Sequence, residues 1–187
     1  MRAVGAADNP CHDDRVPTPV GHALGALIIS APVRARFRLA GAGAIVAISA
    51  GMAPDLDLLI GRHSAETHSV GAGLMAALVC WAALRWCQGP RPVVWACLVG
   101  VSVWSHALLD WLGTDTSPPI GVMALWPFST AYFEADAHVF MAVSRRYWLS
   151  EFWGYNAMVL MRELLILGIP AVCIEWWLRK RAAGRAR

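Results

Sequence analysis

The sequence predicts an all-α integral membrane helical bundle of about five transmembrane or partly re-entrant helices, and three observations carry that expectation. Of its 187 residues, 57% are hydrophobic and only 16% charged, and the mean hydropathy is +0.47. Ten tryptophans accompany this composition, in keeping with rings that settle at headgroup depth. Long apolar segments alternate with short connections that carry arginine. The length suits one domain. A net charge of +3, with the basic residues in short runs beside apolar stretches, reads as a topology signal. It is too small and too scattered for a nucleic-acid surface, so no nucleic-acid partner is expected.

Residues 1–17 are polar, with Asp8, Asn9, Pro10, His12, Asp13 and Asp14. They lack the charged and apolar regions of a signal peptide and are expected to form a disordered leader. The first apolar segment runs from Val20 to Val33. The second, Leu39–Ala53, is rich in glycine and alanine. The third is Val70–Cys87, the fourth Val93–Leu112, and the fifth Ala157–Leu178, with a kink expected at Gly168 and Pro170. Crossing a bilayer takes about 20 residues at about 1.5 Å each. The last three segments reach that length. The first two, at about 14–15 residues, read as a short hairpin, tilted or partly re-entrant. Gly41, Gly43, Ala47, Gly51, Gly71 and Gly73 suit close helix packing in lipid. The membrane unit is therefore expected over 18–178, followed by a basic tail over 179–187. Of the five cysteines, four lie in apolar segments and none forms a C-x-x-C pair, so they read as small buried hydrophobes.

The arginines orient the bundle. Arg34, Arg36 and Arg38 separate segments one and two, Arg85 and Arg91 flank the turn between three and four, and Arg179, Lys180, Arg181, Arg185 and Arg187 follow segment five. If all five segments cross, ten of the sixteen lysines and arginines fall on one side. The positive-inside rule makes that side, and the C-terminus, cytoplasmic. The periplasmic side then receives His22, the stretch from Asp55 to His68, the end of segment four at His106 and Asp110, and Glu163. It also receives a long connection, Thr114–Asn156, whose Trp126, Tyr132, Phe133, Trp148, Trp153 and Tyr155 suit an interfacial flap.

Ionisable groups beside hydrocarbon are expensive and are kept mainly for function. His106 and Asp110, four apart, share a helical face and suit a two-point grip on zinc or manganese, or a plain histidine–aspartate hydrogen bond. Asp55 and Asp57, after Pro54, can face one or two cations from an extended turn, or simply end one helix and cap the next. His63 and His68 flank Glu66, a base or outer-shell partner. Their spacing is not that of H-E-x-x-H, which rules out a zincin. His22 reads as an interfacial histidine or a ligand, and Glu163 as a site residue or a partner of Arg162. Asp115, Asp136 and His138 read as solvated loop residues.

The ordered set Thr18-Pro19-Val20-Gly21-His22, Pro54-Asp55-Leu56-Asp57, His63 with Thr67-His68-Ser69, Ser105-His106 with Asp110, and Leu125-Trp126-Pro127-Phe128-Ser129 resembles the LexA-regulated, inner-membrane-bound metal-dependent hydrolases, the YdjM-like group. The likeness covers Thr18 to Ser129, with weaker support to Glu163. It departs where that group has His-Arg-Gly, since Ser64-Ala65 follow His63 here. The resemblance implies a bacterial inner-membrane location and metal-dependent hydrolysis. In residue order the chain also looks like the all-helical bacterial zinc-dependent phospholipases C, on which comparison His22, Asp55, His68, His106 and Asp110 take ligand positions.

The combined expectation is a hydrolase with a one- or two-metal site at the outer face. His68, His106 and Asp110 would hold one divalent ion, zinc first, with manganese or magnesium as alternatives. Asp55 and Asp57 would complete the shell or bridge to a second ion, with His22 and His63 as further ligands. Glu66 or Glu163 would be the general base. The expected partner is membrane lipid, and the substrate a phosphoester of a lipid or lipid-linked molecule. A metal-ion or proton transporter and a non-catalytic scaffold are the alternatives, and the sequence assigns no oligomeric state.

Overall fold

A computed structural model describes residues 17–39, 41–60, 64–116 and 118–184. The expected leader thus lies outside the described residues except for Pro17, which is buried in the folded body. Helix α1 (Pro19–Phe37) starts on a strong signal: the Thr18 hydroxyl accepts the Gly21 N–H at 3.1 Å, and Pro19 occupies the first turn, where its missing N–H leaves nothing unsatisfied. It runs past the expected end at Val33 because Arg34 is absorbed into the bundle. The Arg34 guanidinium donates to Ser30 Oγ at 3.0 Å, to the Leu27 carbonyl at 2.7 Å and to Glu175 at 2.5 Å.

Helix α2 (Gly41–Met52) passes directly into a 3-10 segment, Ala53–Ile60. The second expected segment is therefore longer than its composition suggested, and Gly41–Leu59 is long and apolar enough to cross a membrane. A single 3-10 turn, Glu66–His68, leads to α3 (Val70–Trp86), capped by Ser69, whose hydroxyl accepts the Ala72 N–H at 3.0 Å. At 17 residues, α3 is about 25 Å long, short of the roughly 30 Å hydrocarbon core. The expectation that it crosses comfortably is corrected: by length the three qualifying spans are Gly41–Leu59, α4 (Pro92–Trp111) and Phe152–Gly184.

The third of these spans comprises α5 (Phe152–Glu163), a π-helical turn (Leu164–Gly168) and α6 (Ile169–Gly184). It starts before the expected Ala157, and its helix continues through the first six residues of the basic tail. The expected kink is instead a wide turn in which the Ile169 N–H reaches back to the Leu164 carbonyl. Pro170 has no N–H to donate to the preceding turn and its ring crowds the carbonyl there; widening the helix relieves both.

Helix α4 is the axis, packed against α1, α2 and α3, while α5 and α6 lie along α1. The distribution of side chains is that of a membrane protein. Buried residues include His22, Ser30, Arg34, Asp57, His68, Ser102, Ser105, His106, Asp110 and Glu163, whereas Ile45, Leu59, Trp86 and Val172 face outward. In water such an apolar exterior would aggregate; in a bilayer it is solvated, and the polar groups gain by turning inward. The same inversion corrects the reading of the cysteines. Cys87, Cys97 and Cys173 are exposed on the outer surface and Cys80 is half-buried; Cys11 lies outside the described residues.

The connection from Leu112 to Glu151 folds over one end of the bundle and is tied to it through backbone. The N–H groups of Val70 and Gly71 donate to the carbonyls of Ala124 and Trp126, Met123 donates to Ser64, and Thr114 to Phe140. Asp115 accepts the Gly121 N–H, and His138 reaches the Gly113 carbonyl at 3.0 Å, so both hold the connection together. Phe128, Tyr147 and Trp148 project from it, and Trp153 from the first turn of α5, each well exposed.

Candidate metal centre

Four separate elements deliver the site. His22 lies one turn into α1, His106 and Asp110 occupy successive turns at the end of α4, Asp55 rises from the 3-10 segment after α2, and His68 ends the turn before α3. All but Asp55 are essentially inaccessible; the Asp55 side chain is 21% exposed and marks the way in. Two groups of ligand atoms close enough to share an ion emerge: His22, His106 and Asp110, and Asp55, His68 and His106. His106 belongs to both.

The distances define a small cup. Asp110 places Oδ1 3.3 Å from His22 Nε2, and Oδ2 3.2 Å from both His68 Nε2 and His106 Nε2. Asp55 Oδ1 lies 3.5 Å from His106 Nε2 and 3.9 Å from His68 Nε2. His22 and His106 stack, with ring centroids 3.6 Å apart and planes 13° from parallel.

Outer partners fix which nitrogen faces inward. His106 Nδ1 lies 2.7 Å from the Gly51 carbonyl, which can only accept, so Nδ1 carries the proton and Nε2 presents a lone pair to the cup. His68 is set in the same way. Thr67 Oγ1 donates to Asp57 Oδ2 at 2.5 Å and offers its lone pair to His68 Nδ1 at 2.9 Å, with Asp57 Oδ2 also 3.3 Å from that nitrogen. The two inward Nε2 atoms stand only 2.9 Å apart. Two lone pairs at that separation repel unless a cation or proton lies between them.

A second observation agrees. Both nitrogens of His22 and both oxygens of Asp110 are buried without a hydrogen-bond partner. Leaving such groups unpaired costs about 1–3 kcal/mol each, more for a charged one. His22 Nε2 and the Asp110 carboxylate converge with the other inward nitrogens, and nitrogen and carboxylate oxygen are the donor types that hold zinc or manganese. The residues present fit a divalent ion. His68, which lies outside the spanning segments, feels opposing influences: burial lowers its pKa, but the carboxylates of Asp55 and Asp57 outweigh burial and raise it above the ordinary histidine value.

The expected site is thus brought together by five residues, His22, Asp55, His68, His106 and Asp110, with two corrections and one residue not described. Asp57 is not aimed at the cup. The stretch is a 3-10 helix rather than an extended turn, and at about three residues per turn positions two apart diverge. Asp57 stands behind His68 and orients it. Glu163 accepts the Thr18 N–H at 2.7 Å and a short hydrogen bond from the Thr18 hydroxyl, and its carboxylate lies against Gly21, next to His22. It pins the start of α1, and hence His22, and belongs to neither group of converging ligand atoms. His63 lies outside the described residues. Glu66 is half-buried on the turn that carries His68. Sequence reasoning missed the Gly51 carbonyl, and it named Thr67 without giving it a part in orienting His68. The neighbour relation Thr67-His68 was a usable signal for the second; a backbone carbonyl has none.

Fold and site together define a helical membrane protein with a buried histidine–aspartate cluster able to hold a metal ion. Among known families, the model described as YdjM inner membrane protein matches residues 18–182, and the chain belongs to that family. No curated protein and no solved structure matches the chain.

Proposed function

We propose that the protein is a metal-dependent hydrolase acting on a phosphoester of a lipid or lipid-linked molecule. The observation that carries this reading is the set of buried, unpaired ligand atoms converging at one end of an apolar bundle, roofed by an aromatic connection. His22, Asp55, His68, His106 and Asp110 would hold the ion or ions, with zinc the best match to the donor set and manganese or magnesium as alternatives. When bound, such an ion supplies a Lewis acid that polarises an ester oxygen and acidifies water. The chain itself contributes orientation: Gly51, Thr67 and Asp57 hold the imidazoles with their lone pairs inward. Asp55 is placed at the mouth, and Glu66 on the His68 turn is the candidate base. A headgroup reaches this mouth without leaving the interface, because Phe128, Trp148 and Trp153 suit headgroup depth.

The transport alternative requires ionisable groups along a path through the bilayer. Between His22 and Arg34, α1 reads Ala-Leu-Gly-Ala-Leu-Ile-Ile-Ser-Ala-Pro-Val, and α4 carries no ionisable side chain except Cys97 from Pro92 to Ser105. That favours a site at one face over a conduit.

Detergent-purified protein is expected to contain zinc or manganese by elemental analysis and to hydrolyse phospholipid or lipid-pyrophosphate substrates until a chelator is added. His106→Ala and Asp110→Ala are each expected to lose the metal and the turnover. Turnover insensitive to chelator, or unchanged metal content in both variants, overturns the reading.

A further inference from the structure

The opposite end of the bundle carries a second polar constellation that the metal cup does not use. Arg34 is about 18 Å along α1 from His22. Around it a cavity of about 1130 Å³ is lined by five arginines, Arg34, Arg36, Arg38, Arg91 and Arg181. Their one ion-pair partner among the described residues is Glu175, which binds Arg34 Nη2. Arg34 is 2% exposed, and its Nη1 is buried with no hydrogen-bond partner. Five arginines lining one cavity with a single carboxylate between them are a strong demand for an anion with several acceptor oxygens, and arginine's planar fork matches phosphate.

A second cavity tells which phosphate. An apolar groove of about 490 Å³ runs between α1 and α6, lined by Ile28, Ala31, Cys173, Ile174 and Trp177, and it shares Pro32 and Ala35 with the arginine cavity. A free anion has no use for such a groove, whereas a lipid fills both parts. Lys180 over Trp176, at 3.9 Å, and Arg181 over Trp177, at 4.0 Å, place cations and indoles at the same level, as at a headgroup boundary. We infer that this end of the bundle is a binding site for an anionic glycerophospholipid, its phosphate among the arginines and one acyl chain in the α1–α6 groove. The inference is independent of what the metal cup does.

The test uses the full chain in non-ionic detergent, titrated with dihexanoyl phosphatidylglycerol, dihexanoyl phosphatidylcholine or inorganic phosphate, with binding read by native mass spectrometry. Phosphatidylglycerol is expected to bind more tightly than either of the others. Arg36→Gln with Arg181→Gln, both exposed and outside the Arg34–Glu175 tie, is expected to weaken it roughly thirtyfold, about fivefold per charge. Cys173→Trp, on the exposed wall of the groove, is expected to weaken the lipid and leave phosphate unchanged. Equal binding of the two lipids, unaffected by the double variant, overturns the site. Phosphate binding as tight as the anionic lipid's, and indifference to Cys173→Trp, overturns the lipid assignment.

Discussion

His106 commits both ring nitrogens, one to the Gly51 carbonyl and one to the cup, and His68 does the same through Thr67 and Asp57. Ligands held this way are preorganised, and the outer partners matter nearly as much as the ligands. Asp57→Asn, which removes the charge behind His68 without changing size, is expected to weaken zinc binding about 10–100-fold while the helical circular dichroism stays intact. Unchanged affinity would mean that Asp57 has no part in the site. The pH dependence follows from His68. Its pKa is raised, so in the metal-free protein it holds a proton to higher pH than a free histidine, and a metal must displace that proton. Affinity is therefore expected to rise with pH from about pH 6 to pH 8, checked by competition with a chromophoric chelator; a flat profile contradicts it.

At the level of elements, the cup exists because helices approach more closely than side chains with a Cβ allow. A Cβ on Gly51 would collide with the Cβ of Ala26 and stand 3.3 Å from the His22 carbonyl, so α1 and α2 meet there backbone to backbone. Gly51→Ala is expected to lower the thermal midpoint, through overpacking of about 1–3 kcal/mol, and to weaken metal binding by shifting the carbonyl that orients His106. Gly41→Ala, where a Cβ meets nothing within 4 Å, is the control and is expected to be neutral or slightly stabilising. Equal melting of the two variants would remove the close approach as a cause. The π-helical turn before Pro170 works at the same scale: it keeps α5 and α6 continuous, so that Glu163 and Arg181 belong to one helical rod packed along α1.

For the whole molecule, the two polar constellations sit at opposite ends of the bundle, acids and imidazoles at one and arginines at the other. On the positive-inside rule the arginine end is expected to face the cytoplasm and the cup the periplasm. A reporter fused after Arg187 is expected to read cytoplasmic and one inserted near Thr116 periplasmic; the reverse pattern would place the cup on the cytoplasmic face.

Helix number and approximate position were legible in the sequence, because apolar length and arginine punctuation act locally and the bilayer rewards them one segment at a time. So were five cup residues, since an imidazole or carboxylate in an apolar chain is conspicuous wherever it falls. Three things were decided only by tertiary structure. The 3-10 twist after α2 turned Asp57 away from the cup and toward His68. Burial among Ser30, the Leu27 carbonyl and Glu175 let Arg34 stay helical where its charge had suggested a boundary. The approach of α5 to α1 gave Glu163 to Thr18. Each depends on partners far along the chain, or on backbone atoms that every residue shares, and residue identity alone carries no record of either.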